Sequence, residues 1–554
     1  MRLRLGGKAP RRWSRAWFER WRSAPVARVV LALARTTTSA IRLLEALSVF
    51  EDTDVLVVFA CDDGSAFSSG AEHVIRSAGW VVVPWPEVRR LDYDLVLTAS
   101  ENSDLRGVRA PVVVLPHGIG FHKQVPDSLS PGFRISGMVP ARHLGRRDVS
   151  LVVSHPSQIA QVAEADPRLA ERCVVIGDLA LDRLAASLPY RGLYRSRLGV
   201  LPGQRLVTVS STWAPDGVYG ANSTLYRTLL ADLPFDEYRV AAVVHPNVPA
   251  FEGSARLGQV LSDALHSGLV QVPPTSGWHA AVLASDLVVA DHGSVGLYAA
   301  ALDLPFALGS RPSRVVPGTP PDELARVAPL LDADLPLRPQ VDAAIAAHRP
   351  DAHRRLADRM FAHRGEAADR LRAHLLGLLD LPVPTRPALR RRVPDPEPVV
   401  WGPFSHLVHS RVTGPGRVEL VRYPFPACWE HGDPPEGFWG HLCWCEDDPT
   451  LPPTDKHFEG NASVSVRSRP APRAEVEEWM ADRFLSGAAV AAAPTPEGCL
   501  VGTFRGARVR CADADVAVAA SAVYTLLRDR APLTGRLEVT TGPRVHTLTL
   551  ADGS

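Results

Sequence analysis

Four polar stretches in this chain carry residue types suited to acid–base and anion chemistry, and each directly follows a short apolar run. The run 112–115 leads into Pro116-His117-Gly118-Ile119-Gly120-Phe121-His122-Lys123, and 206–209 leads into Ser210-Ser211-Thr212-Trp213. The run 240–244 leads into His245-Pro246-Asn247, and 287–289 into Ala290-Asp291-His292-Gly293-Ser294. An imidazole at His117 suits acceptance of a hydroxyl proton near neutral pH. Gly118 and Gly120 let the backbone bend and approach a ligand, and Lys123 offers a point charge to a phosphate. His245, held at a rigid strand end by Pro246, suits binding of a pyrophosphate or protonation of a leaving phosphate. Asp291-His292-Gly293-Ser294 opens a helical pattern, so free N–H groups and the helix dipole favour an anion there. Ser294 adds a hydroxyl donor to the same anion. Plainer roles compete: His117 as a loop histidine, Asp291 as a helix N-cap, Thr212-Trp213 as a packing corner. One chain with all four stretches at strand ends favours the chemical reading, that of phosphoryl or glycosyl transfer from a nucleotide donor.

The elements that must position these residues are legible as alternating apolar runs and helical patterns. Runs at 29–33, 55–59, 80–83, 95–97, 112–115, 151–153 and 174–176 predict buried strands, with a helix over 39–47. After Pro202-Gly203 the pattern restarts, with strands at 206–209, 240–244, 269–272 and 287–289. Helices over 223–230, 257–265, 278–283 and 295–302 lie between or after them, and a long helical stretch spans 340–379. Such alternation predicts parallel sheets with helices on both faces. The expected fold is α/β, with two Rossmann-like lobes and a C-terminal α+β domain. The boundaries are a basic arm at 1–27, an N-terminal acceptor lobe at 28–200 and a donor lobe with trailing helices at 201–380. A proline-rich linker at 381–399 and an α+β tail at 400–554 complete the chain. The tail shows strands at 417–421, 462–466, 500–504 and 537–541, and helices at 474–485 and 516–528. In an open parallel sheet, ligands bind beyond the carboxyl ends of the strands. If the lobes face each other, the four polar stretches meet in one cleft.

Composition bounds the function. With 554 residues, 46% hydrophobic and 22% charged, the chain is an ordinary globular sequence of several domains. Lys+Arg 61 against Asp+Glu 60 gives a net charge of +1, so no global field selects nucleic acid as a partner. Seven cysteines make no disulfide framework at this length, and a cytoplasmic location is expected. No apolar stretch is long enough for a membrane span. The arm concentrates eight basic residues against one glutamate, with Trp13, Trp17 and Trp21 on one helical stripe. That pattern suits the surface of an anionic bilayer at the membrane's inner face; the alternative is a stripe packed on the next domain. In the tail, Cys428, His431, Cys443 and Cys445 are possible zinc ligands, against the simpler reading of two thiols on one strand face.

Taken in order, these residues resemble a family. His117-Gly118 with Lys123, Gly177 with Asp182, Thr212-Trp213, His245-Pro246 and Asp291 with Ser294 resemble the motifs of the CDP-glycerol glycerophosphotransferases. That is the teichoic-acid polymerase family of GT-B fold, and the resemblance covers roughly residues 28–375. It implies a transferase in which His117 activates a hydroxyl acceptor, free or lipid-linked, and His245 and Ser294 contact the phosphates of a nucleotide-activated donor. It also implies that Thr212 lines the donor pocket and that no metal or cofactor is needed. The chain departs from the pattern at Ala214 and within Gly177-Asp178-Leu179-Ala180-Leu181-Asp182, where the family carries arginine. A nucleotide-sugar glycosyltransferase, a UDP-N-acetylglucosamine 2-epimerase-like enzyme and a catalytically inactive scaffold share the expected skeleton.

Overall fold

The computed structural model describes residues 20, 23–62, 64–65, 68, 70–127, 131–140, 148–400, 402, 405–428, 433–446, 460–511 and 515–553. The tryptophan stripe of the arm and His431 lie outside the described residues.

Runs such as Val30 to Ala34, fully buried on both faces, need helices on either side and so form parallel sheet. Seven such strands make the first sheet, in the spatial order Val82–Val83, Val55–Cys61, Arg28–Ala34, Leu95–Thr98, Val112–Val114, Val149–Val153, Cys173–Val175. The second sheet runs Val270–Val272, Tyr238–Val244, Arg205–Ser211, Leu287–Ala290, Phe306–Leu308. All its registers are parallel. The short strand Phe306–Leu308 has no run long enough to stand out in the sequence. Strand order reverses between Arg28–Ala34 and Leu95–Thr98 in the first lobe, and between Arg205–Ser211 and Leu287–Ala290 in the second. A crevice opens at each reversal because the flanking helices leave toward opposite faces. Two Rossmann-like lobes facing each other make this a GT-B-like fold.

The lobes exchange segments. The long helical stretch expected at 340–379 is three helices, Leu337–Ala347, Arg354–Met360 and Ala367–Leu378, separated near Pro350 and at Gly365, whose φ is +82°. The last of them does not trail on the second lobe: Leu371, Leu375 and Leu376 join the core of the first, with Leu43 and Phe59. Conversely, Tyr194 and Leu198, from the first lobe's end, pack in the second. The proline-rich stretch is bound along its length. Ala388 N donates to Asp369 Oδ1 at 2.6 Å, and Val393 N to Ser187 Oγ at 2.9 Å. Val399 exchanges two 2.9 Å backbone bonds with Gln271. It is a strap across both lobes.

The tail is a closed nine-stranded barrel, a closure that its α+β pattern does not announce. Helix Val516–Arg528 is buried from Val518 to Leu526, as a helix apolar all round must be, and shares the barrel core with Val408, Val464 and Val501. Cys443 and Cys445 point into this core, whereas Cys428 packs against the donor lobe, so these three thiols do not gather as a zinc set. Among the described residues no cluster of three or more His, Cys, Asp or Glu is placed to hold a metal. Nor, among them, is any helix long and apolar enough to cross a membrane. The barrel is seated on the second lobe. Phe425, Trp444 and Ala462 enter the core formed by Leu225, Leu229 and Val341. Beside them, Arg422 grips Asp236 through two bonds of 2.8 and 2.7 Å, both side chains almost fully buried.

One barrel residue makes stability depend on pH. His441 is buried with its ring against Tyr524, centroids 4.4 Å apart, and neither ring nitrogen has a hydrogen-bond partner. Burial, helped by the charge of His409, pushes its imidazole down to about 3. A folded value below the unfolded one contributes stability that is present above about pH 6.5 and lost as pH falls toward 3. The loss from this residue is expected to reach about 2 kcal/mol by pH 5. His441→Phe keeps the ring contact and removes the proton, so its urea midpoint should fall less between pH 7 and pH 5 than the parent's. An equal fall in both chains would clear His441 of the effect.

Candidate active site

Both sheet reversals open onto one cavity of about 360 Å³. From the first lobe it takes Arg35, Thr36 and Thr38 after strand Arg28–Ala34, Ser100 and Glu101 after Leu95–Thr98, and His117 to Gly118 after Val112–Val114. From the second it takes Ser210 to Trp213, His245 to Asn247 and Gly293 to Val295. His117, Gly118, Lys123, Thr212, His245, Gly293 and Ser294 therefore line one space, though they come from opposite lobes. Asp291 does not line it. Its buried carboxylate accepts the N–H groups of Thr212 (2.8 Å), Val218 (3.0 Å) and Gly293 (2.8 Å). It shapes the two loops that do face the cavity, and a direct donor contact is not what this geometry gives it.

His117 has a partner that reading strand ends for histidines overlooks. Glu101, buried at the end of its own strand, places Oε2 3.6 Å from His117 Nδ1 and Oε1 2.7 Å from Arg134 Nη1. Burial alone would push this carboxyl up, but His117 and the Arg134 charge hold it well below the usual carboxylate range. An ionised carboxylate at Nδ1 leaves Nε2 as the proton acceptor, the division of roles that a histidine base needs. Glu101 was discoverable, since it follows the run 95–97 by the same carboxyl-end rule. Arg134 was not, because it reaches the site on a hairpin with no motif.

Across the cavity the groups are tuned for an anion. Lys123 comes from the first lobe and donates to Thr212 Oγ1 of the second at 3.3 Å. Burial lowers its pKa, opposed by the Asp291 and Asp216 charges. His245 is held well below its ordinary value by burial and by the Lys123 charge. Its Nδ1 accepts the Asn247 N–H at 3.1 Å, so the ring hydrogen is assigned to Nε2 and the residue acts as a neutral donor. His122 is driven down to about 3 by burial and by Lys123. The cavity's arginines are each engaged by a carboxylate: Arg35 by Asp62 at 2.5 Å, Arg42 by Asp178 at 2.7 Å, Arg134 by Glu101. Among the described lining residues, Lys123 is the cation with no carboxylate within ion-pair distance.

The lobes meet closely beside this part of the cavity. Ser294 begins helix Ser294–Ala301 and its Oγ accepts Ile119 N–H at 3.3 Å. A Cβ on Gly118 would lie 2.5 Å from that Oγ, so any larger residue requires the Ser294 hydroxyl to move. Gly118→Ala is expected to cost about 1–3 kcal/mol by overpacking and to lower the melting temperature by a few degrees. Adding Ser294→Gly should restore most of the loss. An unshifted melting temperature in the single variant would show that the hydroxyl swings aside freely.

No protein-family profile matches the chain, and no curated protein matches it. Solved structures similar to it include the wall teichoic acid polymerase TagF, 12% identical, with 64% of this chain and 89% of that chain covered and a TM-score of 0.43. The S. aureus MnaA–UDP co-structure is 12% identical, with 65% and 100% covered and a TM-score of 0.39. A glycosyltransferase from Rickettsia africae is 9% identical, with 64% and 98% covered and a TM-score of 0.37. At these values the likenesses carry no argument about activity. The class rests on the chain's own topology: a two-lobed, GT-B-like α/β protein with a polar cavity at its paired sheet reversals.

Proposed function

We propose that this protein is a transferase that uses a nucleotide-activated donor and a hydroxyl acceptor, with glycerophosphotransferase chemistry as the specific reading. One observation carries it: a carboxylate-oriented imidazole, His117–Glu101, shares a cavity with Lys123, a neutral donor at His245 and the helix N-terminus at Ser294. In this reading the acceptor hydroxyl gives its proton to His117 Nε2 and its oxygen attacks the donor's outer phosphorus. The bond from that phosphorus to the bridging oxygen breaks, and the nucleoside monophosphate leaves with the electron pair. Lys123, His245 Nε2–H and the N–H groups at Ser294 hold the charge that develops on the phosphates. Thr212 and Gly293 line the donor side, shaped by Asp291. The acceptor is a polyol or polyol-phosphate chain end of cell-surface polymer synthesis, and the basic arm would hold the protein at an anionic bilayer.

The nucleotide released decides between this reaction and glycosyl transfer on the same skeleton. Attack at phosphorus of CDP-glycerol frees CMP, whereas attack at the sugar carbon of a UDP-sugar frees UDP. Incubating the full chain with each donor and a glycerol-phosphate acceptor should yield CMP. Release of UDP from UDP-sugars alone would replace the reaction with glycosyl transfer or epimerisation. Tight nucleotide binding without any release would leave a binding protein.

A further inference from the structure

Glu101 answers to two ionisable side chains, and that sharing has consequences for His117. The carboxylate is 4% exposed, with Arg134 at 2.7 Å on one oxygen and His117 at 3.6 Å on the other. Arg134 positive, Glu101 negative and His117 unprotonated sum to zero net charge around one buried carboxylate, with the His117 ring half-open to the cavity. Protonating His117 would add a second positive charge to a cavity already lined by Lys123. Without Arg134, Glu101 would keep the imidazole and the Gly137 N–H, 3.5 Å from Oε1, but no cation, and the imidazole would balance the buried carboxylate by taking a proton. A protonated imidazole accepts nothing from a hydroxyl.

We infer that Arg134 is a positioning residue that keeps His117 in its neutral, proton-accepting form by occupying the other oxygen of Glu101. A two-stranded hairpin places it. Strand Phe133–Ile135 pairs with Gln124–Pro126, directly after the loop that carries His117. The donor lobe holds this hairpin: Gln124 N donates to Arg314 O at 2.8 Å, Val316 N to His122 O at 2.8 Å, and the Arg314 guanidinium lies 4.6 Å from the Phe133 ring. The charged and titratable groups facing the trio are Lys123 and His122 on the same loop, His245 from the donor lobe, and Asp127, 3.8 Å from Arg134 Nε. All four persist when Arg134 alone is replaced, so a change reports Arg134 itself.

The consequence for turnover rests on His117 being the base of the proposed reaction, but the test needs no turnover. In the full chain with ring-labelled histidine, the His117 resonance is assigned by its loss in His117→Gln and followed with pH by NMR. The midpoint in Arg134→Gln should lie about one pH unit above the parent's, and Arg134→Lys, which keeps the charge, should bring it most of the way back. Glu101→Gln should move it down, which tests the same relation if Arg134→Gln does not fold. A midpoint within about 0.2 units of the parent in Arg134→Gln, or no downward movement in Glu101→Gln, overturns the inference. A shifted midpoint in a chain that releases no nucleotide from any donor sinks the proposed reaction and leaves the charge relation standing.

Discussion

His117→Ala is expected to cut turnover at least about a hundredfold while leaving nucleotide affinity within about twofold. The expected split follows from where the residue stands. His117 belongs to the first lobe and faces Glu101, whereas Thr212, His245 and Ser294, the proposed donor contacts, all follow strands of the second. Removing the imidazole takes away a proton acceptor and no donor contact, so kcat falls and the dissociation constant of the nucleotide stays. Donor binding by calorimetry and nucleotide release by chromatography check the two halves separately. Unchanged turnover would remove His117 from the chemistry. A parallel loss of affinity would instead make it part of the donor site.

Asp236→Ala is expected to be the most damaging single change to stability, about 3–5 kcal/mol. The carboxylate is 2% exposed and holds Arg422, itself 4% exposed, in a two-pronged bond; Arg544 approaches the same oxygen. Burial alone would push Asp236 up, yet its Arg422 bonds keep the carboxyl below the ordinary range. Truncation leaves a buried guanidinium with no close counter-charge except the half-exposed Asp515 at 3.6 Å. Replacing both partners, as in Asp236→Ala with Arg422→Leu, should recover much of the loss, because the uncompensated charge is gone. Urea denaturation of the three chains measures this. A single-variant cost below about 1 kcal/mol would mean that the apolar contact of Phe425 and Trp444 with the donor lobe seats the barrel by itself.

Much of the lobed fold was legible because buried parallel strands write themselves as unbroken apolar runs. Every strand expected in the two lobes is present, and those passed over are Phe306–Leu308 and the hairpin pair Gln124–Pro126 and Phe133–Ile135. The barrel was harder. Its strands alternate, as His406–Gly414 and Arg544–Asp552 do, mixing Arg, His and Thr with apolar residues, so a period of two is blurred by the polar outer face. Nothing local could announce closure, since the ladder between His406–Gly414 and Trp439–Cys445 joins strands separated by a third.

At the candidate site the division is sharper. From its residue order alone the sequence determined the α/β class and which strand ends carry His117, Thr212, His245 and Ser294, because those follow from covalent neighbourhood and the period of buried residues. Tertiary structure decided everything that depends on distance across the chain. It turned Asp291 inward to hold three backbone N–H groups, brought Glu101 and Arg134 to His117, and set the Ser294 hydroxyl where a Cβ on Gly118 would meet it. It also seated the barrel on the donor lobe through Asp236 and Arg422, 186 residues apart. Electrostatic pairing and steric fit act through space within a few ångströms, and a linear order of residues holds no record of which distant groups will share that space.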